Sequence, residues 1–207
     1  MVWIATFALI FMSHAARAAD SDKKNDSVKV ELALGSPSLT ITNPDASKAN
    51  YKGLGGSIKG FIPVWSNRSS RFDFTGGIKY FDFSNRANGT QSEYAQYVGP
   101  GAGLELSVSR FYVGAEYYYL KARHTTVGTY SHKAEFNLTG INYSAGYRLE
   151  MGTGSIGLGW SQMGGTIPGS AVGISGNSKW SNQVYWLNLT YNFKLNTGSF
   201  FKSLFGY

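Results

Sequence analysis

The sequence predicts an all-β protein, a transmembrane antiparallel up-and-down β-barrel of about eight strands. Three observations lead there. Apolar residues alternate with small or polar ones at period two along most of the chain, the pattern of strands whose two faces meet unlike surroundings. One face carries large aliphatic and aromatic side chains, while the other carries Gly, Ser, Thr, Asn and charges. A small barrel has little room inside, so the glycine-rich face is the inner one and the apolar face looks outward, where only lipid tolerates it. Lastly, short and long links alternate strictly, as in a meander with its turns on one side of a membrane and its long loops on the other.

Composition removes the competing classes. The 207 residues are enough for one domain with a sizeable core. Gly (26), Tyr (14) and Phe (13) are abundant and charged residues make up only 15%, which argues against disorder and against a helical bundle. With no Cys there is neither a disulfide framework nor a thiolate metal site nor a lipoprotein anchor. The run Val2–Met12 has signal-peptide length and is followed by the A-x-A pattern Ala16-Arg17-Ala18, although no Lys or Arg precedes it. Residues 1–18 are therefore expected to be a signal peptide and 19–27 an N-terminal periplasmic segment. No later apolar run reaches the ~20 residues of a membrane helix. A membrane crossing must then be a closed barrel.

The strands follow in order. Val28–Gly35 sets Val28, Val30, Leu32 and Leu34 against Lys29, Glu31 and Ala33. Leu54–Val64 sets Leu54, Ile58, Ile62 and Val64 against Gly55, Ser57, Lys59 and Phe61. Arg71–Phe83 sets Phe72, Phe74, Ile78 and Tyr80 against Arg71, Asp73, Thr75 and Lys79. Val98–Ser107 puts Leu104 and Leu106 opposite Gly103, Glu105 and Ser107, and Phe111–Leu120 puts Val113, Tyr117 and Tyr119 opposite Tyr112, Gly114 and Glu116. Ile141–Leu149 sets Ile141, Tyr143 and Tyr147 against Asn142, Gly146 and Arg148. Just before it, Phe136 and Leu138 have the opposite parity, which predicts a bulge near Gly140 or a later strand start. Ser155–Gln162 and Val184–Leu195 complete the set. Trp65–Ser70, Ser107–Arg110 and Glu150–Gly154 read as short turns. Ser36–Gly53, Ser84–Tyr97, Lys121–Thr139 and Met163–Gln183 read as long loops, made mobile in the second and fourth by Gly89, Gly164, Gly165, Gly169, Gly173 and Gly176. Aromatics near the strand ends, among them Trp65, Phe72, Phe111, Tyr147, Tyr191 and Phe193 on the turn side and Tyr80, Tyr119 and Tyr185 on the loop side, predict interfacial girdles.

On this architecture the chain resembles the small outer-membrane barrels typified by the OmpA transmembrane domain, OmpX, OmpW and the opacity-type proteins. The resemblance spans residues 28–195 and rests on architecture. The final strand matches the family's assembly signal in Tyr191-Asn192-Phe193, with Asn188 where a Gly is usual. It implies a cell outer-membrane location with periplasmic termini, and the barrel-assembly machinery, outer-membrane lipid and lipopolysaccharide as partners. A monomer is expected, with no nucleic acid and no cofactor.

The inward positions gather Glu31, Asp73, Glu105 and Glu116 with Lys29, Lys59, Arg71, Lys79 and Arg148. Charges in such a place must pair and keep their hydrogen bonds, which points to an ion-pair network filling the lumen. The alternative is a narrow porin-like channel gated by partner exchange. In the third long segment Lys121, Arg123 and Lys133 supply positive charge suited to lipopolysaccharide phosphates. His124, Ser131, His132 and Glu135 are the candidates for lipid-modifying catalysis. Adjacent residues of an extended segment point to opposite faces, so Ser131 and His132 do not pair, and neither catalysis nor a metal is expected. Phe200, Phe201, Leu204 and Phe205 give the 196–207 tail one apolar helical face, fit for a membrane interface.

Overall fold

The computed structural model describes residues 27–67, 69–86, 92–127, 132–172 and 176–193. The proposed signal peptide, the 196–207 tail, Ser131, Gly89 and Gly173 lie outside the described residues, as does the side chain of His132. Eight antiparallel strands close a barrel in chain order: β1 (Val28–Thr42), β2 (Lys48–Ser66), β3 (Ser70–Arg86), β4 (Ser92–Val108), β5 (Phe111–Val127), β6 (His132–Met151), β7 (Gly154–Ile167) and β8 (Ser178–Phe193). One helical turn, α1 (Gly169–Val172), precedes β8 and lies against β6. The first and last strands pair over their whole length, from Val28↔Phe193 to Thr42↔Lys179. Closure leaves no sheet edge at membrane level, as lipid demands.

The outer surface explains why these strands do not simply fold in water. Leu34, Leu54 and Leu158 are 72%, 75% and 68% exposed, and Ile58, Ile78, Val113 and Leu189 are exposed beside them. The belt ends in aromatic rings. Phe111 meets Tyr147 edge-on at 5.2 Å and Tyr191 meets Phe193 at 4.7 Å on the turn side, while Tyr80, Tyr119 and Tyr185 stand exposed on the other. On β5 the outward positions stay uncharged from Phe111 to Lys121. Ten residue rises at about 3.4 Å and a tilt of about 40° give roughly 26 Å, the height of an outer-membrane apolar band.

Turn chemistry on the short side is local. The hairpins at Ser109-Arg110 and Gly152-Thr153 are two residues long, with positive φ at their first residue (55° at Ser109, 63° at Gly152), as a type II′ turn requires. In the β2–β3 turn the Asn67 side chain accepts hydrogen bonds from the backbone N–H groups of Ser69 and Ser70. A register shift between Pro63 and Trp65 lets both Val64 and Trp65 face outward.

The far side differs from the expectation of long loops. Most of those four segments are barrel wall: β1 runs on to Thr42, β3 to Arg86 and β5 to Val127, and Gly164 and Gly165 sit inside β7. The β1–β2 connection is only Asn43–Ser47, held by Asp45 accepting from the backbone N–H and hydroxyl of Ser47. No bulge occurs at Gly140 either, and β6 starts earlier than expected. It pairs with β5 without a shift from Thr126↔His132 to Phe111↔Tyr147, so Phe136 and Leu138 point into the barrel on the same face as Asn142 and Arg148. The parity is constant and the surroundings invert. Above the membrane the wall is polar outside, with Lys52, Asp82, Lys121, Arg123 and Glu135, and apolar inside, as in a soluble barrel. Above Ile141↔Gly164, β6 has no ladder to β7.

Candidate functional site: the two-layer lumen

The lower layer lies at membrane level and is charged. Glu105 of β4 accepts from Arg148 Nη1, and Lys59 Nζ stands 3.3 Å from its other oxygen. Arg148 Nη2 also reaches Glu31 at 2.7 Å, and Thr190 donates to the same carboxylate. Glu116 is held by Thr75 and Asn142, each at 3.1 Å, by the Tyr118 hydroxyl at 3.3 Å, and by Lys59 and Lys79 at 3.5 and 3.6 Å. Three carboxylates thus face three cations drawn from six strands, all buried. Arg71 and Asp73 form a separate close pair at 2.7 Å, with Arg71 also donating to the Ser27 carbonyl. Lys29 stands apart: among the described residues no carboxylate lies within 4.0 Å of it.

Aromatic rings wrap the cations. The Arg148 guanidinium lies 3.8 Å from the Tyr112 ring centroid, and Lys79 lies 4.6 Å from that of Tyr118. Glycine makes that possible. A Cβ on Gly159 would fall 2.1 Å from the Tyr112 hydroxyl, and one on Gly101 would fall 2.4 Å from the Tyr118 ring. The glycine-rich inner face is therefore ring-packing space at these positions.

The upper layer was missed by sequence reasoning. Leu39, Phe81, Phe83, Tyr97, Leu120, Leu138, Trp180 and Trp186 are buried in one apolar cluster above the charges. The Phe83, Tyr97 and Trp180 rings meet edge-on at 5.4 and 5.9 Å. The available signal was continued alternation: Leu39 and Ile41, in an expected loop, keep the parity of Lys29 and Glu31, and Phe81 and Phe83, at the end of the expected third strand, keep that of Arg71 and Asp73. Lys79, 5.5 Å from Trp186, marks the boundary between the layers.

His124 belongs to this upper layer. Its ring stacks on Tyr97 at 5.6 Å, shares a 2.9 Å hydrogen bond with the Tyr97 hydroxyl and lies 5.1 Å from Phe136. Burial holds it well below its ordinary pKa, at about 4. Glu135 points the other way, outside the wall. There Arg123 donates to it at 2.9 Å, with Lys133 and Lys121 at 3.3 and 3.6 Å. Hydrogen bonds from Lys133 and Arg123 lower its pKa. The structure thus separates His124 from Glu135, whereas it brings Lys121, Arg123 and Lys133 together.

No family model matches the chain, and no curated protein matches its sequence. Among solved structures, Ail, the attachment invasion locus protein of Yersinia pestis, superposes with a TM-score of 0.51 at 10% identity, covering 79% of this chain and 98% of Ail. Ail in complex with the heparin analogue sucrose octasulfate gives a TM-score of 0.50 at the same identity, over 79% of this chain and 99% of that one. Neisserial surface protein A also gives 0.50 at 10% identity, over 79% and 97% of the two chains. The chain has the fold of the small outer-membrane β-barrels. At such identity the likeness is one of fold, and the roles of residues rest on the chemistry of this chain alone.

Proposed function

We propose that the protein is a closed outer-membrane barrel with a structural and surface-interaction role, acting neither as a pore nor as an enzyme. Its short turns and both chain ends lie in the periplasm, and its polar strand extensions stand outside the cell. The observation that carries this reading is the double closure of the lumen, with an ion-pair network at membrane level and an aromatic layer above it. An ion crossing the barrel would have to open both. Lys121, Arg123 and Lys133, three cations about one carboxylate just above the outer aromatic ring, suit the phosphates of lipopolysaccharide. The separation of His124 from Glu135 favours a binding role over catalysis.

Planar-bilayer recording of the refolded protein tests the reading, and a flat trace without unit steps is expected. Reproducible steps would favour the alternative, a narrow channel in which Lys59 exchanges among the three carboxylates that surround it at 3.3–3.7 Å.

A further inference from the structure

Of the bases that point inward, Lys59, Arg71, Lys79 and Arg148 are buried and each meets Glu31, Asp73, Glu105 or Glu116. Lys29 is half-buried at the mouth, where it makes no ion pair among the described residues and where Glu150, of the same inward parity as Arg148, is exposed. A half-buried ammonium keeps its charge best with a counter-ion beside it. Lys29 lines a recess of about 30 Å³ at the turn-side mouth, together with Arg148, Arg110, Ser155, Asn192 and Glu150. That is room for one compact ion and little else.

The walls are suited to an anion. Arg148 has five N–H donors, of which the bonds to Glu31 and Glu105 use four. Ser155 brings a hydroxyl and Asn192 an amide to the same recess, and Arg110 adds a further positive charge to its rim. The single acid there, Glu150, is exposed and makes no ion pair among the described residues. We propose that this recess binds one compact monovalent anion, a halide ion or a carboxylate group, with Lys29 as its principal counter-charge. The anion enters from the turn side, because the aromatic layer closes the opposite end.

The test uses the refolded full barrel in zwitterionic micelles and ³⁵Cl line broadening as chloride is titrated. A saturable broadening in the wild-type protein is expected, with loss to the level of empty micelles in Lys29→Met. Glu150→Gln removes the negative charge that lines the recess among the described residues and is expected to saturate at lower chloride. A merely structural role for either residue would not move the two variants in opposite directions. Displacement of chloride by formate and by glycylglycine identifies a site open to carboxylates, including those of peptides. Displacement by bromide but by neither carboxylate identifies a halide site. Non-saturable broadening in the wild-type protein overturns the proposal without recourse to any variant. So does unchanged broadening in folded Lys29→Met.

Discussion

Single residues show why the lumen is fixed in place. Glu105 is 1% exposed and meets both Arg148 and Lys59, so its removal takes a carboxylate from two buried cations and leaves them Glu31 and Glu116 alone. Breaking one side of such a pair typically costs about 3–5 kcal/mol. Glu105→Ala is therefore expected to lower the urea midpoint of unfolding in lipid vesicles by a corresponding amount while its bilayer trace stays flat. A large gain in conductance with unchanged heat resistance would reverse that ranking. His124 gives a second handle, outside the membrane-spanning part of the wall. Tyr97 and Glu93 face it from β4, Tyr51 from β2 and Phe136 from β6. Above its ordinary pKa of 6.5 it is neutral folded and unfolded alike, so it contributes no pH dependence there. As pH falls from 6.5 towards 4 the unfolded chain takes up the proton and the folded one resists it, so stability declines across that window and levels off below it. The loss is on the order of 3 kcal/mol. It is read as the difference between wild-type and His124→Phe unfolding midpoints across the same pH range.

At the scale of an element, β6 carries the main lesson. Its two halves obey one parity in two environments. Below Ile141 the inward side chains are Asn142, Ser144, Gly146 and Arg148 with lipid-facing Tyr143 behind them, whereas above it they are Phe136 and Leu138 with Glu135 and Asn137 outside. A reversed hydrophobic pattern normally signals a one-residue shift. Here it signals the membrane surface. Leu138, 1% exposed, is a core residue of the upper layer. Leu138→Ala is expected to cost about 2–5 kcal/mol in the same unfolding assay, as buried leucines do. A cost near zero would mean that the upper layer contributes little to stability.

At the scale of the whole molecule, the barrel is two barrels in series sharing one wall. The membrane-level part has lipid outside and ion pairs within, while the upper part has water outside and aromatics within. The junction on the outer surface is where Lys121, Arg123 and Lys133 converge on Glu135. Replacing those three cations by Ala is expected to weaken binding to lipopolysaccharide-containing vesicles, with the wild-type affinity falling as salt rises. Equal affinity of the triple variant would remove this cluster from the proposed contact. Such exposed charges add little to folding, so the unfolding midpoint is expected to stay near the wild-type value.

The amino-acid sequence by itself determined the barrel, its inside-out polarity at membrane level and the residues that point inward, because a period-two pattern fixes which face each side chain takes. It also marked the short turns at Ser109 and Gly152. What it could not determine was where that wall ends. Leu39, Ile41 and Leu138 look like loop residues or register errors in a linear pattern, because apolarity alone does not say whether a side chain meets lipid or a core. Closure of eight strands decided that, by stacking those residues into one layer above the charges. Tertiary structure also decided which charges meet. Parity places Lys29 and Lys59 on the same inner face, but only the stagger of neighbouring strands sets Lys59 among three carboxylates and leaves Lys29 at the mouth without an ion pair among the described residues.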